Sequence, residues 1–176
     1  MKIIKTKFKD LLIVKQFKNK DSRGYLRESY KEKILRKKFI FEYYTHSKKN
    51  VLRGFHIQLK YPQSKYINVM KGKILDYVVD LRPKSKTFGK SFKIILSEAN
   101  SLGLFIPKGF AHAYYSFKKE NIISYKLDNY YYPKYQDGII WNDKSLNLKW
   151  PNKNPIISNK DKKLKSFVYF LDKKFK

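Results

Sequence analysis

Ile106-Pro107-Lys108-Gly109-Phe110-Ala111-His112-Ala113-Tyr114 combines a turn signal with a strand signal in one short stretch. Pro107 and Gly109 are typical of a tight turn, because proline presets its own backbone angle and glycine tolerates positive φ. The residues that follow predict a strand, and the period of two places His112 and Tyr114 on the same face. A lone strand histidine is commonly a core or rim residue, so His112 alone does not indicate a function.

Short apolar segments recur through the rest of the chain about every ten residues, separated by Gly, Pro or Asn. This spacing is typical of an all-β sandwich or barrel and not of βαβ units. Lys71-Gly72-Lys73 predicts a hairpin turn, because glycine supplies the positive φ that such turns need. The predicted strands are Leu11 to Val14, Tyr25 to Tyr30, Phe39 to Thr45, Val51 to Gln58, Tyr66 to Met70, Ile74 to Leu81, Phe92 to Leu96, Leu104 to Ile106, Ala111 to Phe117 and Ile122 to Leu127.

Helical structure is expected in only two places. Lys31 to Lys38 predicts one short helix, and residues 162–176 predict a closing amphipathic helix. After Tyr132-Pro133 the chain is expected to be irregular, with Trp141 and Trp150 as large apolar anchors that hold a tail against the barrel.

The composition indicates a single domain over residues 1–176, because 42% apolar and 17% aromatic residues can build a sizeable core. The formal net charge of +27 raises nucleic acid or an anionic membrane as a partner. However, only five of the 41 basic residues are arginine, and the lysine-rich runs at 31–38 and 160–165 lack the interleaved aromatics of a base-stacking surface. We therefore expect no nucleic-acid or membrane partner, and a charge that suits a polyanionic small ligand.

The absence of cysteine excludes disulfides and thiolate metal sites, and it is natural for a cytoplasmic protein. Met1 to Phe17 alternates apolar residues with lysine and therefore predicts neither a signal peptide nor a membrane-spanning segment. We expect a soluble, cytoplasmic protein.

Arg53-Gly54-Phe55-His56-Ile57-Gln58 predicts a strand with His56 and Gln58 on one face. Further along, Lys65 shares its predicted face with an apolar stripe, so it would point inward. A buried lysine is costly unless it meets a negative charge, although a lysine at a strand end can equally extend to water. A histidine in a dry pocket beside an ammonium group can remove a proton next to a ketone, because both the base and the enolate oxygen then have a partner.

Pro107-x-Gly109-x-x-His112 resembles the second motif of the cupin superfamily, whose fold is a double-stranded β-helix, or jelly-roll barrel. The first cupin motif carries a His-x-His pair and a glutamate that bind a metal ion. Here the pair is His56-Ile57-Gln58, and no glutamate lies between Glu42 and Glu98. A three-ligand metal site cannot be assembled from these positions, so we expect a metal-free cupin without a cofactor.

The segments together resemble one family, the dTDP-4-dehydrorhamnose 3,5-epimerases, over almost the whole chain. Each segment is a weak signal by itself, but their order and spacing are highly specific. The segments are Asp21-Ser22-Arg23-Gly24-Tyr25 with Glu28, Asn50 to Gln58, Gln63-x-Lys65, Val79 to Arg82 with Ser85 and Thr87-Phe88-Gly89, Ile106 to His112, Tyr125-Lys126, Tyr130-Tyr131, Trp141-Asn142-Asp143, Trp150-Pro151 and Ser158-x-Lys160-Asp161.

The resemblance implies epimerisation at C3 and C5 of a 4-keto-6-deoxy nucleotide sugar for bacterial surface polysaccharides. It implies that His56 is the general base, that Asp161 orients it, and that Tyr125 is the general acid on the opposite face of the sugar ring. It places Lys65 beside the 4-keto oxygen, where an ammonium would stabilise the enolate. The residues implied to bind the substrate are Arg23, Glu28, Arg53, Gln58 and His112. Without the resemblance, Asp161 would be interpreted as a tail anchor and Tyr125 as an ordinary strand tyrosine.

Several alternatives stay open at this stage. Phe41 to Ser47 departs from the family pattern Phe-x-Gln-x-Asn-x-Ser, and those amides belong to the nucleotide-binding wall. The substrate could therefore be a GDP-linked 4-keto sugar or heptose, and inversion could be confined to C3. A 3,4-ketoisomerase would use the same enolate, and an inert cupin that binds a nucleotide sugar is the non-enzymatic alternative. The resemblance also implies a homodimer with strands shared between barrels.

Overall fold

The computed structural model describes residues 1–174, which are built mainly from antiparallel strands. The strands are β1 (Lys2–Lys5), β2 (Leu12–Lys15), β3 (Phe17–Asp21), β4 (Gly24–Glu28), β5 (Phe41–Ser47), β6 (Leu52–Gln58), β7 (Lys65–Lys71), β8 (Lys73–Asp80), β9 (Ser91–Ser97), β10 (Leu102–Ile106), β11 (Phe110–Ser116), β12 (Asn121–Leu127) and β13 (Gln136–Gly138). The helices are α1 (Glu32–Leu35), α2 (Asn159–Lys162) and α3 (Phe167–Lys174), and a 3-10 turn covers Pro133–Tyr135.

The strands form two facing sheets and one separate hairpin. One sheet has the order β1-β2-β10-β7-β12-β5, the other has the order β13-β6-β11-β8-β9, and β3 pairs only with β4. Neighbouring strands are antiparallel. The chain changes sheet at each step from β5 to β8 and again at each step from β9 to β13. This is the jelly-roll barrel of the cupin fold, so the predicted fold class is confirmed.

All ten strands predicted from the sequence are present, with shifted ends. Gly72, with a φ of +91°, turns the chain from β7 to β8 as predicted. The predicted hairpin is wrong, because these two strands do not pair and belong to different sheets. The helix predicted over Lys31 to Lys38 is shorter than expected, because Arg36 takes the left-handed conformation and ends α1. α3 covers part of the helix predicted for residues 162–176, of which the last two lie outside the described residues. The sequence did not predict β1, β3 or β13.

Three apolar clusters hold the strands together. The inner cluster lies between the sheets and includes Ile67, Val69 and Val78. A second cluster covers the outer face of the five-stranded sheet, where Phe55 packs under the tail. The third covers the outer face of the six-stranded sheet and includes Leu35 of α1. Burial at about 25 cal/mol per Å² of apolar surface makes these clusters the main source of stability.

The tail beyond the 3-10 turn packs on the five-stranded sheet through the two predicted tryptophan anchors. The Trp150 ring lies 4.7 Å from the ring of Tyr77, and the Trp150 indole N–H donates to the Trp141 carbonyl at 2.8 Å. Asp143 accepts the Phe167 backbone N–H at 2.7 Å and so ties α3 to the tail. This packing places α2 beside β6. None of the helices in the described part of the chain combines the length and the apolar character needed to cross a bilayer.

Candidate active site

A cavity of about 160 Å³ opens between the two sheets. His56, Gln58 and His112 reach it from the five-stranded sheet, whereas Lys65 and Tyr125 reach it from the six-stranded sheet. The strand parity predicted from the sequence is therefore confirmed, because the alternate residues of β6 and β7 point to the interior. The cavity is lined by Tyr43, Thr45, Arg53, His56, Ile57, Gln58, Gln63, Lys65, His112, Tyr114, Tyr125, Tyr131 and Gln136.

His56 is paired with Asp161, which the tail brings behind it. The Nε2 atom of His56 lies 2.8 Å from the Oδ1 atom of Asp161, and the other carboxylate oxygen accepts the Gly54 N–H at 3.0 Å. Ser158 caps α2 by accepting the Asp161 N–H on its hydroxyl, which fixes the backbone of the aspartate. Burial alone would raise the pKa of the Asp161 carboxyl, but the hydrogen bonds and charge of His56 bring it below its ordinary value. Asp161 is thus an anionic partner for the imidazole.

A second histidine–aspartate pair lies next to the first. His112 stands directly opposite His56 in the β6–β11 pairing, and its Nε2 atom lies 2.8 Å from the Oδ2 atom of Asp76. The Asp76 side chain is fully buried, and burial raises the pKa of its carboxyl despite the opposing effects of His112 and Lys65. Asp76 was not predicted from the sequence. Its signal was a lone carboxylate on the inward face of an apolar strand, which is costly unless a partner is present.

Lys65 begins β7 and faces the same interior. Burial lowers the pKa of its ammonium from 10.5 to about 8, and the charge of Asp76 opposes that shift. The sequence left open whether Lys65 points inward or extends to water. The structure places it on the cavity wall.

Tyr125 lies on β12, across the cavity from the five-stranded sheet. Its ring meets the His112 ring edge-on with the centroids 6.1 Å apart, and the residue is almost completely buried. Burial, followed by the neighbouring hydroxyls of Tyr114 and Tyr43, raises the pKa of the Tyr125 phenol well above 10. The phenol therefore keeps its proton at neutral pH.

The mouth of the cavity holds the predicted Arg53 and further polar side chains that were not predicted to bind substrate. Arg53 donates to the Ser47 hydroxyl at 3.1 Å. Tyr131 donates to the Gln136 side-chain oxygen at 2.8 Å, and the same oxygen accepts from the Lys160 ammonium. Tyr131 and Lys160 belong to two of the sequence motifs, but no role was predicted for either residue. An arginine and a lysine at one opening can bind an anionic group.

Gln58 lines the cavity on the same face as His56, but its amide is already engaged. The Gln58 amide nitrogen donates to the Tyr61 carbonyl at 2.6 Å and the Tyr130 carbonyl at 3.1 Å, and its oxygen accepts the Tyr132 N–H at 2.8 Å. These bonds hold the loop that carries Tyr131, so the amide shapes the cavity rather than offering a free polar group to it.

Arg23 and Glu28 do not reach this cavity. Arg23 lies at the turn of the β3–β4 hairpin with 88% of its side chain exposed, and it pairs with Asp21 at 2.7 Å. Glu28 ends β4 and pairs with Lys31 at 2.6 Å. One chain therefore brings together seven of the nine predicted site residues and leaves two outside. Among the side chains that the structure describes, which do not include those of residues 170 and 172–176, no three His, Asp or Glu cluster in a way that could hold a metal ion.

The family model of dTDP-4-dehydrorhamnose 3,5-epimerase matches residues 5–168. The enzyme of that name from Shigella flexneri is 38% identical, with 97% of this chain and 100% of the relative covered. The Bacillus anthracis enzyme, solved with TDP and pyrophosphate bound, has a TM-score of 0.90 and 38% identity, covering 94% of this chain and 98% of the other. The Legionella pneumophila enzyme, solved with dTDP-4-keto-L-rhamnose, has a TM-score of 0.89 and 34% identity, covering 94% and 92%. The paired histidine and the facing tyrosine therefore stand in a chain that belongs to the dTDP-4-dehydrorhamnose 3,5-epimerase family of isomerases.

Proposed function

We propose that the protein inverts C3 and C5 of a dTDP-linked 4-keto-6-deoxy sugar through enolate intermediates. The observation that carries this proposal is a single cavity with an aspartate-paired histidine on one sheet and a protonated tyrosine on the facing sheet. A ketone at C4 acidifies the C–H bonds at C3 and C5. A base on one face of the ring and an acid on the other can therefore invert each carbon.

His56 acts as the general base in this proposal. If Nε2 donates its proton to Asp161, the lone pair on Nδ1 is free to accept a proton from the sugar carbon. The resulting imidazolium is stabilised by the carboxylate, whose depressed pKa keeps it ionised. Asp161 therefore orients the ring and favours its charged form.

Lys65 stabilises the enolate oxygen. Its position on the cavity wall and the pKa of about 8 give a cation at neutral pH in a partly dehydrated site. Electrostatic stabilisation of developing charge is strongest in such surroundings. His112, held by Asp76, is a second polar contact for the sugar beside the base.

Tyr125 returns a proton on the opposite face. The base belongs to the five-stranded sheet and the phenol to the six-stranded sheet, so a sugar ring between them would meet each from a different side. Each inversion moves one proton from carbon to His56 and one from Tyr125 to carbon. Exchange with water then restores both groups.

Arg53 and Lys160 bind the diphosphate at the mouth, beside Tyr131. Two relatives were solved with TDP or a dTDP sugar, which supports thymidine over the GDP-linked alternative.

Arg23 and Glu28 serve the cavity of a second copy of the chain in a homodimer. Their hairpin forms its own two-stranded sheet, and it exposes Phe17 and Leu26, of which 51% and 64% are accessible. Exposed apolar side chains on an isolated hairpin are typical of a surface covered by a partner. A hairpin from the partner would supply the two predicted contacts that each cavity lacks.

The test incubates the protein in heavy water with dTDP-linked and GDP-linked 4-keto-6-deoxy sugars and counts deuterons at C3 and C5 by NMR and mass spectrometry. Two deuterons in the dTDP sugar are expected, whereas one would indicate a single-centre epimerase. His56→Ala should abolish exchange, and His46→Ala, which changes an exposed rim histidine, should not. No exchange with any of these sugars, or full exchange by His56→Ala, would contradict the proposal.

A further inference from the structure

Tyr43 and Tyr125 form a direct cross-strand pair between β5 and β12. Their rings are nearly parallel, with an angle of 14° between the planes and 4.9 Å between the centroids. A stacked aromatic pair is stabilised beyond the burial of its surface. Tyr43 therefore covers the face of the Tyr125 ring that is directed towards β5.

A side-chain hydrogen bond with Thr45 holds the Tyr125 hydroxyl, whereas the stack bears on the plane of the ring. His112 touches the ring edge-on, and Tyr125 is paired with Ile67 on its other strand neighbour. The Tyr114 hydroxyl lies nearby but is bonded to the Thr45 and Ser47 hydroxyls at 3.0 Å and 2.8 Å. The terminal torsion of a tyrosine is broad, so packing on its face decides the plane.

The plane of the ring matters for proton transfer. The O–H bond of a phenol prefers the ring plane, and reacting atoms must lie within about 3–3.5 Å with their orbitals aligned. A ring that swings about its first torsion moves the oxygen away from the sugar. The Tyr43 face blocks that movement on one side.

We infer that Tyr43 is a positioning residue, which aims the Tyr125 hydroxyl at the sugar carbon by stacking on its ring. This inference rests on the proposed roles of His56 and Tyr125. Tyr43 acts through Tyr125 and exchanges no proton itself.

The orientation of the Tyr125 hydroxyl decides which face of the carbon receives the returning proton. When His56 removes a proton from carbon, an aimed Tyr125 donates to the opposite face and the carbon is inverted. When Tyr125 is not aimed, the imidazolium returns a proton to the face from which it came. In heavy water this second path puts deuterium into uninverted substrate, because the imidazolium proton exchanges with solvent.

The experiment measures the ratio of deuterium in uninverted substrate to inverted product, using a dTDP-linked 4-keto-6-deoxy sugar in heavy water. Tyr43→Leu and Tyr43→Met remove the planar face while filling the space, and each should raise the ratio about tenfold while KM changes less than about twofold. Tyr43→Phe keeps the ring and should keep the wild-type ratio. Having two aliphatic variants keeps the test informative if one of them does not fold.

The matched control is Phe41→Leu. Phe41 lies on the same face of β5 with its ring 5.6 Å from that of Tyr43, but it is paired with Leu127 and not with Tyr125. Its loss should leave the ratio unchanged. Unchanged ratios in both aliphatic Tyr43 variants, or an equal rise in Phe41→Leu, would overturn the inference. Tyr125→Phe distinguishes the proposed role of Tyr125 from the stacking role of Tyr43. If Tyr125→Phe inverts the sugar normally, the proposed role of Tyr125 fails. If Tyr125→Phe raises the ratio but the Tyr43 variants keep the wild-type ratio, only the stacking role is overturned.

Discussion

The Nε2 atom of His56 lies 2.8 Å from the Oδ1 atom of Asp161, although 105 residues separate the two along the chain. The same carboxylate accepts the backbone N–H of Gly54, two residues before the histidine. The aspartate therefore binds both the strand and the side chain that the strand carries. The C-terminal tail consequently contributes a side chain to the candidate active site as well as covering the barrel.

Asp161→Asn should lower kcat by about 10²–10⁴, because an amide stabilises the imidazolium poorly and favours the other tautomer. Steady-state kinetics with the dTDP-linked sugar measure the loss. Asp143→Asn is the control, because Asp143 also anchors the tail but lies away from His56; it should lower the thermal unfolding temperature and leave kcat unchanged. Equal kcat values in wild type and Asp161→Asn would show that the pairing is only structural.

Lys65 should produce an alkaline limb in the kcat/KM profile, with activity falling above pH about 8 as the ammonium loses its proton. Lys65→Met should lower kcat by about 10²–10³ and remove that limb. Lys71→Met changes an exposed lysine at the other end of the same strand and should alter neither.

Unfolding does not explain such a limb. The folded pKa of Lys65, about 8, is below its value of 10.5 without burial. Between these pH values the unfolded chain binds more protons at this site, so its contribution to stability rises with pH. Thermal unfolding measured from pH 7 to 10 checks whether the contribution of Lys65 to stability rises with pH. If Lys65→Met keeps the alkaline limb, the limb belongs to another group.

Asp76→Asn should move the alkaline limb to lower pH. The negative charge of Asp76 opposes the effect of burial on Lys65, so its removal lowers the pKa of the ammonium further. The kcat/KM profile measures the shift. Asp80→Asn is a matched control, since Asp80 is also buried on β8 but pairs with Arg82; it should reduce stability without moving the limb. A limb that stays in place in Asp76→Asn would indicate that the two groups are not coupled.

Two inactive variants should restore activity when their subunits are mixed, if the hairpin completes the cavity of the partner. Arg23→Ala and His56→Ala homodimers each lack one group in both cavities. A mixed dimer has one intact cavity, so equal mixing should recover about a quarter of wild-type activity. Activity is measured after subunit exchange. The negative control mixes His56→Ala with Lys65→Met, because a single chain supplies both of these groups to the same cavity. That pair should recover nothing, since its mixed dimers leave no cavity with both groups intact. No recovery with Arg23→Ala would place its role within its own subunit.

Gly54→Ala should destabilise the protein by about 3 kcal/mol or more, because φ is +108° and a Cβ would lie 2.4 Å from the His112 carbonyl oxygen. Gly24→Ala is the matched control: its φ of +131° is also unfavourable, but a Cβ would meet nothing within 4 Å. Its cost should be about 1 kcal/mol. Urea unfolding of both variants gives the two values, and equal costs would mean that the strand can adjust at Gly54.

The strands that could be predicted differ in a physical way from those that could not. Nine of the ten predicted strands carry apolar residues that are buried in, or packed against, the apolar clusters. The tenth, β4, was predicted from Tyr25 and Leu26, which the structure leaves exposed. β1 and β3 are rich in lysine, and β13 consists of Gln136, Asp137 and Gly138. β1 and β13 are edge strands and β3 belongs to the separate hairpin, so their pairing comes from the neighbouring backbone and not from apolar side chains of their own.

The sequence by itself determined an all-β class, a sandwich or a barrel, and the strand face on which His56, Lys65 and His112 lie, because strand alternation is a local property with a period of two. The jelly-roll barrel was implied only by resemblance. The roles of Asp161 and Tyr125 could be suggested only by resemblance. Tertiary structure alone decided that Asp161 reaches His56, that Asp76 holds His112, and that Tyr43 stacks on Tyr125. These contacts depend on strand register and on the path of the tail. Long-range packing determines both, and no local sequence pattern predicts them.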